Sequence, residues 1–127
     1  MLFRSPNGAF GFSSNENLTP EEAWLPASSW WGHYSAESQE NDPQSTLNVY
    51  RKALAVRKGE SGLGDGPMEW INSRNDVVAF SRPGNFACYI NFGADFELPE
   101  GSEVLVASGP LKGHMLPTDT AVWLRVK

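Results

Sequence analysis

The spacing of apolar residues changes twice along the chain. Up to about residue 40 no period of 2 or 3.6 persists, and Gly, Ser, Asn, Pro and aromatic residues dominate, so this stretch reads as mostly loop. Inside it, Thr19-Pro20-Glu21-Glu22 sets a hydroxyl, a proline and an acid in the order of a capping box, which predicts a short helical turn through Trp24. From Pro43 to Lys58 the spacing becomes helical, with Asp42 as the expected N-cap, Pro43 in the first turn and Gly59 as the stop. Arg57 and Lys58 suit the negative end of the helix dipole. Leu47, Val49, Tyr50, Ala53, Leu54 and Val56 cover roughly half the circumference at about 100° per residue, which predicts packing against two neighbours.

From Met68 onward the period drops to 2, and short runs alternate with turn residues. Strands are predicted at Met68–Ile71, Val77–Ser81, Phe86–Phe92, Phe96–Leu98, Val104–Ser108 and Ala121–Val126. Phe86, Cys88, Ile90 and Phe92 are expected to share one face, and Val122, Leu124 and Val126 another, because alternate side chains point the same way. Arg82-Pro83-Gly84-Asn85 and Pro99-Glu100-Gly101-Ser102 read as tight connections. Strands so closely spaced predict a mainly β protein: an antiparallel, Greek-key-like sandwich over residues 60–127, preceded by a loop-rich segment and one long α-helix in residues 1–59.

Composition narrows the classes. With 127 residues, 40% hydrophobic and 20% charged, the chain fits an ordinary globular make-up with one modest core. A net charge of −5 with no basic stripe argues against nucleic acid as a partner. No apolar run reaches the roughly 18 residues of a membrane span, and Met1 to Phe12 lacks the apolar core of a signal peptide, so neither a membrane nor export is expected. Cys88 is the one cysteine, which rules out an internal disulfide and fits a reducing, cytoplasmic setting. On a strand it reads as a small buried hydrophobe. His33 and His114 are too far apart in sequence to suggest a metal site, and no cofactor or metal is expected.

Candidate chemistry mostly dissolves into structure. Glu21 and Glu22 read as helix-start acids, not as a carboxylate pair across a sugar bond. Asp95 and Glu97 read as an exposed acidic strand face. Ser13 and Ser14 lack the strand, Gly-x-Ser-x-Gly and helix of a nucleophile elbow, so with His33 they form no nucleophile and base. Gly62, Gly64 and Gly66 alternate without a Lys, follow a helix and lead into a strand, and so read as a flexible connection, not a phosphate cradle. Phe10, Phe12, Trp24, Trp30, Trp31 and Tyr34 are harder to absorb. A loop-rich segment cannot bury that many rings, so they read as a contact surface for another domain, or alternatively as a sugar-stacking surface.

Several landmarks, in order, carry a resemblance. Gln39, Asp42-Pro43, Ser45-Thr46-Leu47, Tyr50-Arg51 and Arg57 resemble the segment that leads into the last barrel helix of bacterial α-glucosidases of glycoside hydrolase family 13, in the α-amylase superfamily. Gly11-Phe12-Ser13 and Trp24-Leu25-Pro26 resemble landmarks after the eighth barrel strand. Ala107-Ser108-Gly109-Pro110-Leu111 and Leu116-Pro117-Thr118-Asp119-Thr120-Ala121-Val122-Trp123-Leu124 resemble the closing strands of the C-terminal domain. Where that family has Leu- or Met-Pro-Trp, this chain reads Met1-Leu2-Phe3-Arg4, as expected of a truncated gene, a late start codon or a fragment.

The resemblance implies a complete retaining enzyme, a (β/α)₈ barrel followed by an antiparallel β domain, that cleaves terminal α-linked glucose from oligosaccharides. Residues 1–59 would be the remnant of the barrel's last βα unit and residues 60–127 the C-terminal β domain. A barrel takes about 250 residues. Its nucleophile Asp, acid/base Glu and third Asp would therefore lie upstream of Met1, and no residue here inherits a catalytic role. The implied partner is the missing N-terminal barrel, with oligosaccharide bound only by the whole enzyme, where Phe10 and Trp24 are the expected pocket-lining residues. The competing expectation is an independent carbohydrate-binding β module that uses Trp30 and Trp31 as its stacking platform.

Overall fold

The computed structural model describes residues 5–6, 8–11, 13, 15, 17–22 and 27–127. They divide into two compact units, residues 1–48 and 49–127.

In the first unit the capping box forms around a single 3₁₀ turn, Pro20–Glu22. Glu22 Oε2 accepts the Thr19 N–H at 3.1 Å and the Thr19 hydroxyl at 3.0 Å, and these bonds hold the Glu22 carboxyl below its usual pKa. The continuation to Trp24 lies outside the described residues. Where loop was expected, a 3₁₀ segment Ser29–Tyr34 runs into α1, Ala36–Glu40. Ser35 makes the join: it is fully buried, and its Oγ accepts the Ser38 N–H at 3.2 Å as an N-cap.

Helix α2, Thr46–Gly59, begins later than Pro43. The expected cap, Asp42, instead closes a preceding turn by accepting the Gln44 N–H at 2.9 Å. Ser45 caps the helix by accepting the Asn48 N–H at 3.3 Å, and Gln39 Oε1 takes the Leu47 N–H at 3.0 Å. The Asn48 side-chain amide reaches back to the carbonyls of Gln39, Glu40 and Asp42 at 3.0, 2.9 and 2.8 Å. Two of the helix's free N–H groups are thus satisfied by side chains chosen for that job. Arg57 and Lys58 occupy the last turn as expected.

The second unit is antiparallel throughout its strands. These are β1 Glu69–Trp70, β2 Val77–Arg82, β3 Phe86–Asn91, β4 Phe96–Glu97, β5 Glu103–Ala107, β6 Met115–Leu116 and β7 Thr120–Arg125. One sheet has the order β1-β2-β3-β7-β5, and β4 pairs with β6 in a second. The path is Greek-key-like: after β3 the chain visits the small sheet, returns as the edge strand β5, visits the small sheet again, and enters between β3 and β5 as β7. Strand β6 was not foreseen, and two residues give period 2 nothing to repeat.

Alternation decides what is buried. Val77, Ala79, Ala87, Tyr89, Val122 and Leu124 share one face of the large sheet and pack with Leu98 and Leu116, so the core is the layer between the sheets. Tyr89 stacks on Phe96, with centroids 5.8 Å apart. Phe86, Cys88 and Ile90 share the opposite face, as predicted, while Phe92 falls just past the strand and is exposed. Burial pushes the Cys88 thiol up to about 11.

The Gly62, Gly64 and Gly66 stretch corrects an expectation, because it is latched and not a loose connection. Arg82 donates from Nε to the Gly62 carbonyl at 3.1 Å and from an Nη to the Gly64 carbonyl at 2.5 Å. Gly62 is buried, and a Cβ there would collide with the Pro83 carbonyl oxygen and sit 3.0 Å from the Phe86 Cβ. Glycine is required at this position for close approach, not for freedom. Glu60, just before the stretch, is bridged by Arg125, which also bonds Glu103 at 2.7 Å.

Candidate functional site

The two residues expected to line a substrate pocket end up differently. Phe10 is 2% exposed and sits at φ 54°, a left-handed backbone that costs a non-glycine residue about 1–2 kcal/mol. Gly8 and Gly11, on either side of it, are also left-handed, at φ 60° and 84°. Trp24 lies outside the described residues, as does Phe12.

The remaining aromatics of the first segment are on the surface. Trp30, Trp31 and Tyr34 are 57%, 39% and 61% exposed. Trp30 meets Trp31 edge to face, with centroids 6.1 Å apart and planes at 80°, and meets Tyr34 similarly at 5.8 Å and 81°. Perpendicular indoles do not make one flat platform, so a pyranose can stack on either ring but not across both.

Helix α2 has the same character. None of its residues is buried, and Tyr50 and Leu54 are 64% and 51% exposed. The rest of its apolar band, Leu47, Val49, Ala53 and Val56, is half-buried.

Carboxylates find structural employment. Asp76 takes a two-bond grip from Arg74 at 2.8 and 3.2 Å, which holds its carboxyl below the usual range. Asp95 pairs with Lys112 at 2.9 Å, and Glu97 is exposed on β4. Ser13 Oγ accepts the Asn15 N–H in a loop, and His33 is exposed. Among the described residues no group of three or more His, Cys, Asp and Glu is placed to hold a metal ion.

One surface feature was passed over in the sequence. Trp70 on β1 is 70% exposed, and its indole is buttressed edge to face by Phe80 at 6.2 Å. It opens onto a shallow groove of about 490 Å³ formed with Asn72, Ser73, Arg74, Asn75 and Val78. The available signal was a tryptophan followed, after Ile71, by the polar run Asn72-Ser73-Arg74-Asn75.

No family model matches the sequence. The chain is 34% identical over 110 residues to a protein described as a probable alpha-glucosidase of Rhizobium meliloti (strain 1021), covering 86% of this chain and 18% of that protein. Among solved structures, a mutant isomaltulose synthase from Erwinia rhapontici NX5 in complex with D-glucose is similar at a TM-score of 0.72 and 20% identity, covering 98% of this chain and 24% of that one. An alpha-amylase from H. orenii is similar at a TM-score of 0.66 and 25% identity, covering 98% of this chain and 28% of that one. The chain thus spans 18% to 28% of the length of these relatives.

Proposed function

From its kinship with the C-terminal part of bacterial family 13 glycoside hydrolases, the end of the catalytic barrel plus the C-terminal β domain, we propose that the chain is a non-catalytic portion that stabilises a barrel carrying the chemistry. In the whole enzyme that chemistry is hydrolysis of terminal α-linked glucose. The observation that carries the reading is α2: a helix with an apolar half and no buried residue is a surface waiting for a partner. The exposed Trp30, Trp31 and Tyr34 extend the same argument to the aromatic segment.

The described carboxylates discussed above that have partners are held by a cation, a backbone N–H or a hydroxyl, which supports a structural part for them. Phe10, buried in this chain, and Trp24 are proposed to line the substrate pocket of the complete enzyme. No described helix is long and apolar enough to cross a membrane, and a cytoplasmic setting is proposed from the free thiol of Cys88.

Two measurements test this. The purified chain is expected to release no chromophore from a nitrophenyl α-glucoside, and turnover would overturn the non-catalytic reading. In the complete enzyme, Leu54→Ala is expected to destabilise by about 1.5–3 kcal/mol, the value of burying such a side chain, with KM unchanged. An unaltered melting temperature would remove α2 from the interface. The alternative of an independent module with Trp30 and Trp31 as one platform has their 80° interplanar angle against it.

A further inference from the structure

We propose that the groove beside Trp70 is a saccharide-binding site, taking one pyranose ring of a neutral oligosaccharide against the indole. This goes beyond the stabilising role and does not depend on it. Three observations identify the ligand class.

The first is shape: a fixed, largely exposed indole forms one wall of a groove whose volume of about 490 Å³ falls within the roughly 300–1,000 Å³ of small-molecule sites. The apolar C–H face of a pyranose matches a flat aromatic wall. The second is polarity. Asn72 and Asn75 are exposed, line the groove, and have no hydrogen-bond partner among the described residues. Each amide offers both a donor and an acceptor, which is what vicinal sugar hydroxyls require. Ser73 Oγ, on the same loop, is buried without a hydrogen-bond partner among the described residues.

The third observation is charge. Arg74 is the one cation in the groove lining, and four of its five N–H groups are taken by the protein: it grips Asp76 and bonds the carbonyls of Ala94 and Asp95 at 2.6 and 3.4 Å, while its guanidinium lies over the Phe96 ring at 5.6 Å. Most of its bonding capacity is spent within the protein and not on an anionic ligand. Instead it fixes the loop of residues 72–75, with the Val77 N–H closing on the Arg74 carbonyl at 2.9 Å. A rigid wall and a rigid loop lower the ordering cost of binding. A neutral ligand with one apolar face and many hydroxyls fits all three observations.

The test is an NMR titration of the 127-residue chain with maltose and with isomaltose, following the indole N–H signals, with Trp70 assigned by Trp70→Phe. Saturable shifts of the Trp70 indole are expected at a dissociation constant on the order of 1 mM, and Trp70→Ala is expected to weaken binding at least about tenfold. Because Trp70 is 70% exposed, its removal leaves the core intact, which the dispersion of the remaining signals checks. Asn72→Ala with Asn75→Ala provides a second variant, expected to lose affinity while keeping the aromatic wall. No saturable shift with either sugar overturns the proposal. So does binding that survives Trp70→Ala and disappears with Trp30→Ala.

Discussion

Asn91 shows how much one polar side chain can hold in a small β domain. It is fully buried, its Nδ2 donates to the carbonyls of Ala94 and Leu116 at 3.0 and 2.9 Å, and its Oδ1 accepts the Gly93 N–H at 3.0 Å. It therefore ties the large sheet to β6 in the small one. Asn91→Ala is expected to cost about 1–3 kcal/mol for each backbone group left buried and unpaired, read from the midpoint of urea unfolding. Gly62→Ala, which forces a methyl group against the Pro83 carbonyl, is expected to cost about 1–3 kcal/mol by overpacking, whereas Gly59→Ala, with open space around it, should be neutral or stabilising.

Cys88 supplies a pH signature. Its folded thiol, at about 11, keeps its proton at pH values where an ordinary thiol at 9.0 has lost it, so stability present below about pH 9 should fall as the pH rises to about 11. The same burial predicts that iodoacetamide at pH 8 labels urea-unfolded chain and spares the native one; equal labelling would contradict it. At this scale the sequence was readable where a residue's own chemistry decides its place, as for Cys88, and opaque for Gly62 and Asn91, whose importance comes from partners about 20 to 25 positions away.

At the scale of elements, the start of α2 gives physical content to residues that were first only landmarks. Gln39, Asp42, Ser45 and Asn48 are a set of caps: one accepts at Leu47, one closes the preceding turn, one accepts at Asn48, and the last returns its amide to three carbonyls. Ser45→Ala is expected to destabilise by about 1 kcal/mol and Asp42→Ala by less, the reverse of the order that the sequence suggested. Hydrogen exchange at the Leu47 and Asn48 amides would resolve the two.

The six expected strands are all present because each repeats its period at least once or sits between turn residues. Strand β6 was missed because Met115-Leu116 lacks the apolar-polar-apolar alternation that marks Phe96-Glu97-Leu98, and helix α1 because five residues carry too little pattern to rise above loop. The topology was legible as a class but not as an order: nothing local in Thr120–Arg125 announces that it lies between β3 and β5. The candidate site was harder still. Trp70 was read as one strand residue among several, since exposure is a property of the folded surface and not of the residue.

For the molecule as a whole, the exposed set of Trp30, Tyr34, Tyr50 and Leu54 predicts behaviour in solution. The isolated chain should bind a dye that reports apolar surface and should scatter light increasingly with concentration. Tyr50→Glu together with Leu54→Glu is expected to reduce both signals while far-ultraviolet circular dichroism stays the same, since neither residue is buried. A dye signal insensitive to these changes would show that the apolar half of α2 is covered in solution.

The position of β7 sets a timetable for protein synthesis. β1, β2 and β3 form a meander that can pair as it leaves the ribosome, but β5 bonds only to β7 within its sheet. The nascent chain must therefore carry Val104, Leu105 and Val106 without a strand neighbour until Arg125 has emerged. During that interval the unpaired strand is open to other growing chains. Slow translation between residues 107 and 120 would lengthen the exposure, and a chaperone that grips short apolar strands would have its clearest target there.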